Sequence, residues 1–309
     1  MSRLATRYAA VVAPADPWSV ALRGSMQAAL AGSGLGRVVL GLSGPRASIA
    51  AIANGVEDAM AQDDVATFVD RDLRGARFDR STLAGAVMRG VDVCGLDIDA
   101  PWLAEGALLV NGVDVAPLVE AELNRRFPGR ELRQATDPNG LRTAWVAIER
   151  AWAAAVDRVV SMPEGASDVS IDGEWSFTQT LRHLAFATDA WLGKAILRLP
   201  QPFHPLGQPH AEYEADGFDI SIFVTEQPTL TEALHARAER QAMVRHFLAT
   251  VTPELLAEPR PAAWSPEHEE SVLHCLHVIF DEEWEHLRFA LRDLDSQDQG
   301  PVFRTGVLA

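Results

Sequence analysis

The chain has 309 residues, of which 48% are hydrophobic and 23% are charged, so disorder is excluded for most of its length. Its 43 acidic and 27 basic side chains give a formal net charge of −16, which excludes a protein that coats nucleic acid. The two cysteines, Cys94 and Cys275, are too few for a disulfide scaffold, and they suit a reducing, cytoplasmic location.

Residues 1–60 form a poorly defined N-terminal extension. They are rich in alanine, glycine and serine, which is the composition of a leader segment. Arg37 and Arg46 interrupt the apolar stretches, so neither a secretory signal nor a membrane span is expected. The first clear structural pattern begins just after Met60, and we therefore favour a start at Met60, with residues 1–59 as a mis-called extension.

Residues 61–114 follow a period of five, in which ten apolar residues run from Phe68 to Val113. Neither a helix nor a strand has this period. Segments such as 76–80 (ARFDR) resemble the pentapeptide-repeat family, which implies a right-handed, four-sided β-helix with those apolar residues inward. Ten repeats make about two and a half coils, which need a neighbour to cap them. Acidic members of the family imitate DNA, but the charges here nearly balance, so a structural or docking role is favoured.

The remaining residues have the pattern of helices. We predict a linker helix within 115–137, a four-helix bundle over 138–296 of up-down topology, and a C-terminal tail over 297–309. Capping residues and apolar spacing place the four helices at 138–162, 176–199, 229–251 and 265–294. The connection over 200–228 is long for a bundle and rich in proline and aromatic residues, so we predict an ordered flap. The fold class is thus α+β and multidomain.

Two predicted helices carry the candidate chemistry. Glu282 and His286 are four residues apart, so both project from one face of the last helix, and Cys275 and Ile279 place that face in the core. His183 lies among apolar residues of the second helix. Two histidines and one glutamate would leave positions open for water or substrate, as at a catalytic zinc. Taken singly, each of these residues is more often structural, and only their combination favours a site.

The combination resembles the DinB-like superfamily over about residues 138–295. It consists of Trp175 and Ser176 opening a helix, His183 eight residues after the tryptophan, and the late segment 282–290 (EEWEHLRFA). The resemblance places three metal ligands on His183, Glu282 and His286, and implies Zn²⁺ or a similar divalent ion in the bundle core. A glutamate at 282 is more similar to the mycothiol-dependent branch, which includes maleylpyruvate isomerase and thiol S-transferases.

Other residues are candidates for binding a thiol cofactor or an anionic substrate. Arg240 and Arg245 on the third helix would receive an anion, and His204 and His210 in the flap would close over the metal. We expect Asp281, Glu283 and Glu285 to be solvated surface acids, and we exclude His274 and His277 as ligands because they lie off the Glu282–His286 stripe.

Two functions remain open. The first is a metal-dependent enzyme, a thiol S-transferase of the mycothiol type or a hydrolase, in which the metal lowers the pKa of a thiol or water. The second is a non-catalytic, metal-stabilised binding or stress-associated protein with the repeat segment as its interaction surface. The enzyme would have a small-molecule substrate or a thiol as its partner. For neither function do we expect a nucleic acid or a membrane as partner, and a homodimer is compatible with both functions.

Overall fold

The computed structural model describes residues 66–78, 81–211, 213–224, 226–265 and 267–298. The predicted extension over 1–60 therefore lies outside the described residues, as does most of the predicted tail. The described residues divide into two units, 66–87 and 88–298.

The described part of the repeat segment does not form the predicted β-helix. Between residues 66 and 87, Phe68, Leu73, Phe78 and Leu83 are 43–63% exposed, although these side chains were expected to face inward. Within residues 88–114, Val93 and its neighbours in the five-residue series are likewise exposed. The prediction of an inward apolar row is therefore wrong for these residues. The physical reason is that a five-residue repeat buries its side chain only against coils above and below it, and so short a series supplies few such coils.

The second unit begins with short elements. A 3₁₀ turn covers Leu103–Glu105, and strand β1 (Leu109–Val110) pairs antiparallel with β2 (Val113–Asp114). Helix α1 (Ala116–Arg126) and a 3₁₀ turn at Arg130–Gln134 follow, where the linker helix was expected.

Four long helices form the bundle. They are α2 (Pro138–Ser161), α3 (Phe177–Thr188), α4 (Leu230–Thr250) and, after the one-turn α5 (Pro253–Leu256), α6 (Val272–Asp298). Their N-termini are capped by the residues that predict them: Asp137 accepts from two backbone N–H groups of α2, and capping boxes open α3 and α4. Beyond Thr188, α3 continues as a π-helical segment, Asp189–Ile196.

The bundle core is built on α6. Helices α2 and α3 each pack against both α4 and α6, so α2 and α3 occupy opposite corners although they are consecutive in the chain. This order differs from a simple up-down bundle, in which consecutive helices are neighbours. Buried tryptophans fill the centre, and the ring of Trp145 stacks on that of Phe280 at 5.8 Å. The predicted helical architecture is confirmed. The arrangement of the helices differs from the prediction because the 15-residue connection between α2 and α3 crosses the end of the bundle.

The last helix starts later than predicted. Residues Pro259–Pro261 form strand β3, which pairs antiparallel with β4 (Glu269–Ser271), and α6 begins only at Val272. The strand pairing uses backbone groups that a helix from Ser265 would need for itself, so the two structures exclude one another. Within the described part of the chain, no helix combines the length and apolar character needed to cross a membrane.

Candidate metal centre

Three side chains meet in the core between α3 and α6. His183, Glu282 and His286 each offer one atom to a cluster whose members lie within 4.8 Å of one another. All three side chains are at most 1% exposed. Two neutral imidazoles and one carboxylate are ligands that suit zinc and similar divalent ions.

The orientation of His183 is set by a backbone carbonyl. Its Nδ1 lies 3.0 Å from the carbonyl oxygen of Gln208, which can only accept, so Nδ1 carries the proton and Nε2 has a free lone pair. This Nε2 is buried, finds no hydrogen-bond donor among the described residues, and lies 3.5 Å from Oε2 of Glu282. Metal-bound histidines are commonly oriented by such a hydrogen bond from the other ring nitrogen.

Glu282 provides the negative charge of the cluster. Its Oε2 lies 3.0 Å from Nε2 of His286, while its Oε1 has no hydrogen-bond donor among the residues described. Burial opposes ionisation of Glu282, but the hydrogen bond with His286 helps to outweigh burial, and the pKa of the carboxyl is lowered. Burial also lowers the pKa of His183, which favours the neutral imidazole. An anionic oxygen and a bare imidazole lone pair therefore face each other, and a cation between them would satisfy both.

Aromatic side chains enclose the cluster. The ring centroid of Trp175 lies 4.5 Å from that of His183 and 6.0 Å from that of His286. Phe289 packs edge-on against His286 at 5.9 Å. These rings exclude water from the cluster and lower the local dielectric, which would strengthen the attraction between the carboxylate and a cation placed there.

The segment over 200–228 is bound to α3 next to the cluster, as expected for an ordered flap. Gln208 donates its backbone N–H to the carbonyl of Arg182 at 3.1 Å, and Arg182 donates from Nε to the carbonyl of Leu206 at 2.9 Å. The backbone N–H of His204 donates to Oδ2 of Asp189 at 2.7 Å. The carbonyl that orients His183 is therefore held in place by several bonds to the same helix.

The two arginines proposed for anion binding lie in ion pairs. Arg240 donates from Nε to Oδ1 of Asp189 at 2.6 Å, and burial raises the pKa of that aspartate to about 6 although Arg240 opposes the shift. Arg245 of α4 pairs with Glu149 of α2. Neither arginine belongs to the three-residue cluster.

The two flap histidines also have contacts outside the cluster. His204 accepts the backbone N–H of Leu206 through Nδ1, and its Nε2 lies 3.7 Å from Glu239. His210 is buried, with its ring 5.4 Å from that of Trp264 and its Nε2 3.4 Å from Asp216. Their predicted role in closing over a cofactor stays a prediction.

The acids around Glu282 are less solvated than expected. Glu283 is buried against Arg237, and Glu285 is nearly buried against Arg130 and Arg288. The prediction of solvated acids is therefore wrong for these two residues. Helix α6 has neighbours on several sides, and arginines from other elements replace the water that these carboxylates would otherwise contact.

Two residues of this region were not singled out from the sequence. Asp189 begins the π-helical segment and is fully buried, and Arg182 directly precedes His183 and is 7% exposed. The sequence did contain a signal for both residues, since each is a charged residue within a run of mostly apolar or small residues, which indicates a buried charge. The contribution of Gln208 had no such signal, because it acts through its backbone.

Residues 147–290 match the family model of the DinB superfamily. The match runs from within α2 to within α6 and contains all three residues of the cluster. No curated protein matches the chain, and no solved structure does.

Proposed function

We propose that the helical bundle is a DinB-like metal-binding domain, which holds a divalent ion, preferably Zn²⁺, through His183, Glu282 and His286. The observation that carries this proposal is the unsatisfied pair of acceptors: the bare Nε2 of His183 faces the carboxylate of Glu282 in a buried site. Buried polar atoms are rarely left without partners, and a cation supplies one to both.

The residues of the chain prepare the site before any ion arrives. Gln208 holds His183 in the tautomer whose Nε2 can bind a metal, and the hydrogen bond with His286 favours the ionised form of Glu282. A divalent ion bound there would act as a Lewis acid and lower the pKa of a coordinated water or thiol. Trp175 covers the two imidazoles and keeps bulk water from competing.

The catalytic alternative is a thiol S-transferase, with mycothiol or another low-molecular-weight thiol as co-substrate. It is supported by the number of ligands, because three protein ligands leave a zinc ion a position for an exogenous group. The non-catalytic alternative is a metal-stabilised binding protein. It is supported by the nearly complete burial of all three ligands, which is typical of structural metal sites.

The metal proposal is tested by the metal content of the purified full-length chain. We expect about one equivalent of zinc per chain in the wild type and a loss of most of it in His183→Ala and in Glu282→Gln, because each change removes one ligand. His235→Ala is the matched control, since His235 is a highly exposed histidine on α4. Equal metal content in all four proteins, or none in any, would contradict the proposal.

The addition of a thiol to cobalt-substituted protein distinguishes the thiol S-transferase from the non-catalytic binding protein. An exogenous thiol that reaches the metal would change the visible absorption of the cobalt, whereas a closed structural site would leave the spectrum unchanged. The wild type is compared with Cys275→Ala, so that the buried thiol of the chain is excluded as the source of the change. An unchanged spectrum over a broad range of thiol concentrations would exclude the transferase.

A further inference from the structure

A second site adjoins the metal centre. A cleft of about 650 Å³ lies between α3 and the segment over 200–228, within the range that holds small organic molecules. Gln208 lines this cleft, and its carbonyl is the one that orients His183. The cleft and the metal centre therefore share one residue.

Arg182 lines the cleft without an acidic partner. The residue is 7% exposed, its Nε donates to the carbonyl of Leu206, and its guanidinium forms no other hydrogen bond or ion pair with the part of the chain that the structure describes. Burial accordingly lowers the pKa of its guanidinium. Arginines buried to this degree are normally paired, as Arg237 is with Glu283. The terminal amino groups of Arg182 are therefore available to an anion.

The rest of the cleft restricts the chemistry of that anion. The other described polar residues on its walls are neutral, namely Gln179, Gln208, Ser221 and Gln227. The remaining walls include the apolar side chains of Pro209, Ile220 and Phe223. A single positive charge favours a single negative charge in the ligand, and the apolar walls favour a hydrocarbon part.

We propose that this cleft binds a small organic monocarboxylate with an apolar body. Arg182 receives the carboxylate, since the planar guanidinium matches a carboxylate with paired N–H donors. The three glutamine side chains and Ser221 supply neutral hydrogen-bonding groups around it, and the hydrocarbon part contacts Ile220 and Phe223.

The proposal does not depend on the metal. Arg182 is not a member of the metal cluster, and its position is set by hydrogen bonds within the chain. Binding should therefore persist after chelation, although an occupant of the cleft contacts the residue that orients His183.

The test is calorimetric titration of the full-length chain with phenylacetate at constant ionic strength. Phenylacetamide is the neutral isostere, acetate lacks the apolar body, and inorganic phosphate is the competing anion. We expect phenylacetate to bind at one site per chain, and the other three compounds to bind roughly tenfold more weakly or worse, because each lacks either the charge or the apolar contact.

Two pairs of variants test whether phenylacetate binds in the cleft. Ile220→Glu adds a negative charge at a residue that is 39% exposed, so the fold should tolerate it, and we expect binding to be lost while Ile220→Gln retains it. Arg182→Gln should also lose binding, whereas Arg150→Gln, at an exposed arginine of α2, should retain it. The Ile220 pair keeps the test decisive if Arg182→Gln fails to fold.

Several results would overturn the proposal. Equal binding of phenylacetamide would indicate an apolar pocket only, and tighter binding of phosphate would indicate a site for inorganic anions. Phenylacetate binding that Ile220→Glu leaves unchanged and that chelation abolishes would place the carboxylate on the metal. No measurable binding at millimolar phenylacetate would also contradict the proposal. A chain that purifies without metal and still binds phenylacetate would contradict only the metal function.

Discussion

At the scale of single residues, the candidate metal centre depends on which nitrogen of His183 carries the proton. The carbonyl of Gln208 settles this by accepting from Nδ1, and it leaves Nε2 directed toward Glu282. His286 lies on the other side of the same carboxylate, four residues along α6. A single backbone oxygen, distant in sequence, therefore decides whether the three side chains can act as one ligand set.

The two cysteines should differ sharply in reactivity. Burial raises the pKa of the Cys275 thiol to about 12, and Cys94 is exposed. At pH 8 the thiolate form of Cys275 is roughly one part in ten thousand, so a thiol reagent should modify one cysteine per native chain and two in denaturant. Cys94→Ser should leave no rapidly reacting thiol. Rapid modification of Cys275 in the native chain would contradict this assignment.

The same shift predicts a pH dependence of stability. The folded pKa of Cys275 lies above its ordinary value of 9.0, so the folded chain binds this proton more tightly than the unfolded chain. The stabilisation is complete below pH 9 and is lost as the pH rises toward 12. Cys275→Ala should therefore reduce the fall in the free energy of unfolding between pH 8 and pH 10.5.

At the scale of the elements, the π-helical segment joins the bundle to the segment over 200–228. Asp189, its first residue, is buried and accepts from Arg240 of α4 and from the backbone of His204. π-Helical turns are often found at functional sites. Here the turn places a carboxylate where it binds two other elements at once, close to the helix that carries His183.

Asp189→Asn should be strongly destabilising. It removes the negative partner of a mostly buried arginine, and we expect the free energy of unfolding to fall by about 3 kcal/mol. Glu149→Gln is the matched control, because it breaks the pair between Arg245 and α2 on the surface, where the loss should be below about 1 kcal/mol. Urea unfolding at pH 8, above the pKa of Asp189, measures both. Equal losses in the free energy of unfolding would contradict a larger contribution from the buried pair than from the surface pair.

At the scale of the whole molecule, ion pairs with arginine connect α6 to several other elements. Arg288 and Arg292 of α6 both reach Asp99, which lies in the segment before α1. Arg130 and Arg237 approach the same helix from other elements and cover Glu285 and Glu283. Among the buried arginines that the structure describes, Arg182 differs in that no described carboxylate pairs with it, and this difference is the basis of the proposed carboxylate site.

Much of the helical architecture could be predicted from the sequence because its signals are local. Capping boxes at Ser176 and Thr229 involve residues three positions apart, and the common face of Glu282 and His286 follows from helical spacing. The five-residue pattern of the repeat segment was equally clear, but it specifies a β-helix only if further coils cover each apolar side chain. The exposed side chains from Phe68 to Ile98 show that a local pattern can lack the neighbours it needs.

The sequence by itself determined most of the helices, their caps and the common face of Glu282 and His286, since each depends on contacts within one or two turns, while His183 joined the candidate ligands through the resemblance to the DinB-like superfamily. Only the tertiary structure decided the tautomer of His183, the burial of Glu283 and Glu285, and the isolation of Arg182. These features depend on groups that lie 24 to 155 residues apart, such as Arg182 with Leu206 and Arg130 with Glu285. The free energy of a charged group is set by what surrounds it, and packing alone brings those surroundings together.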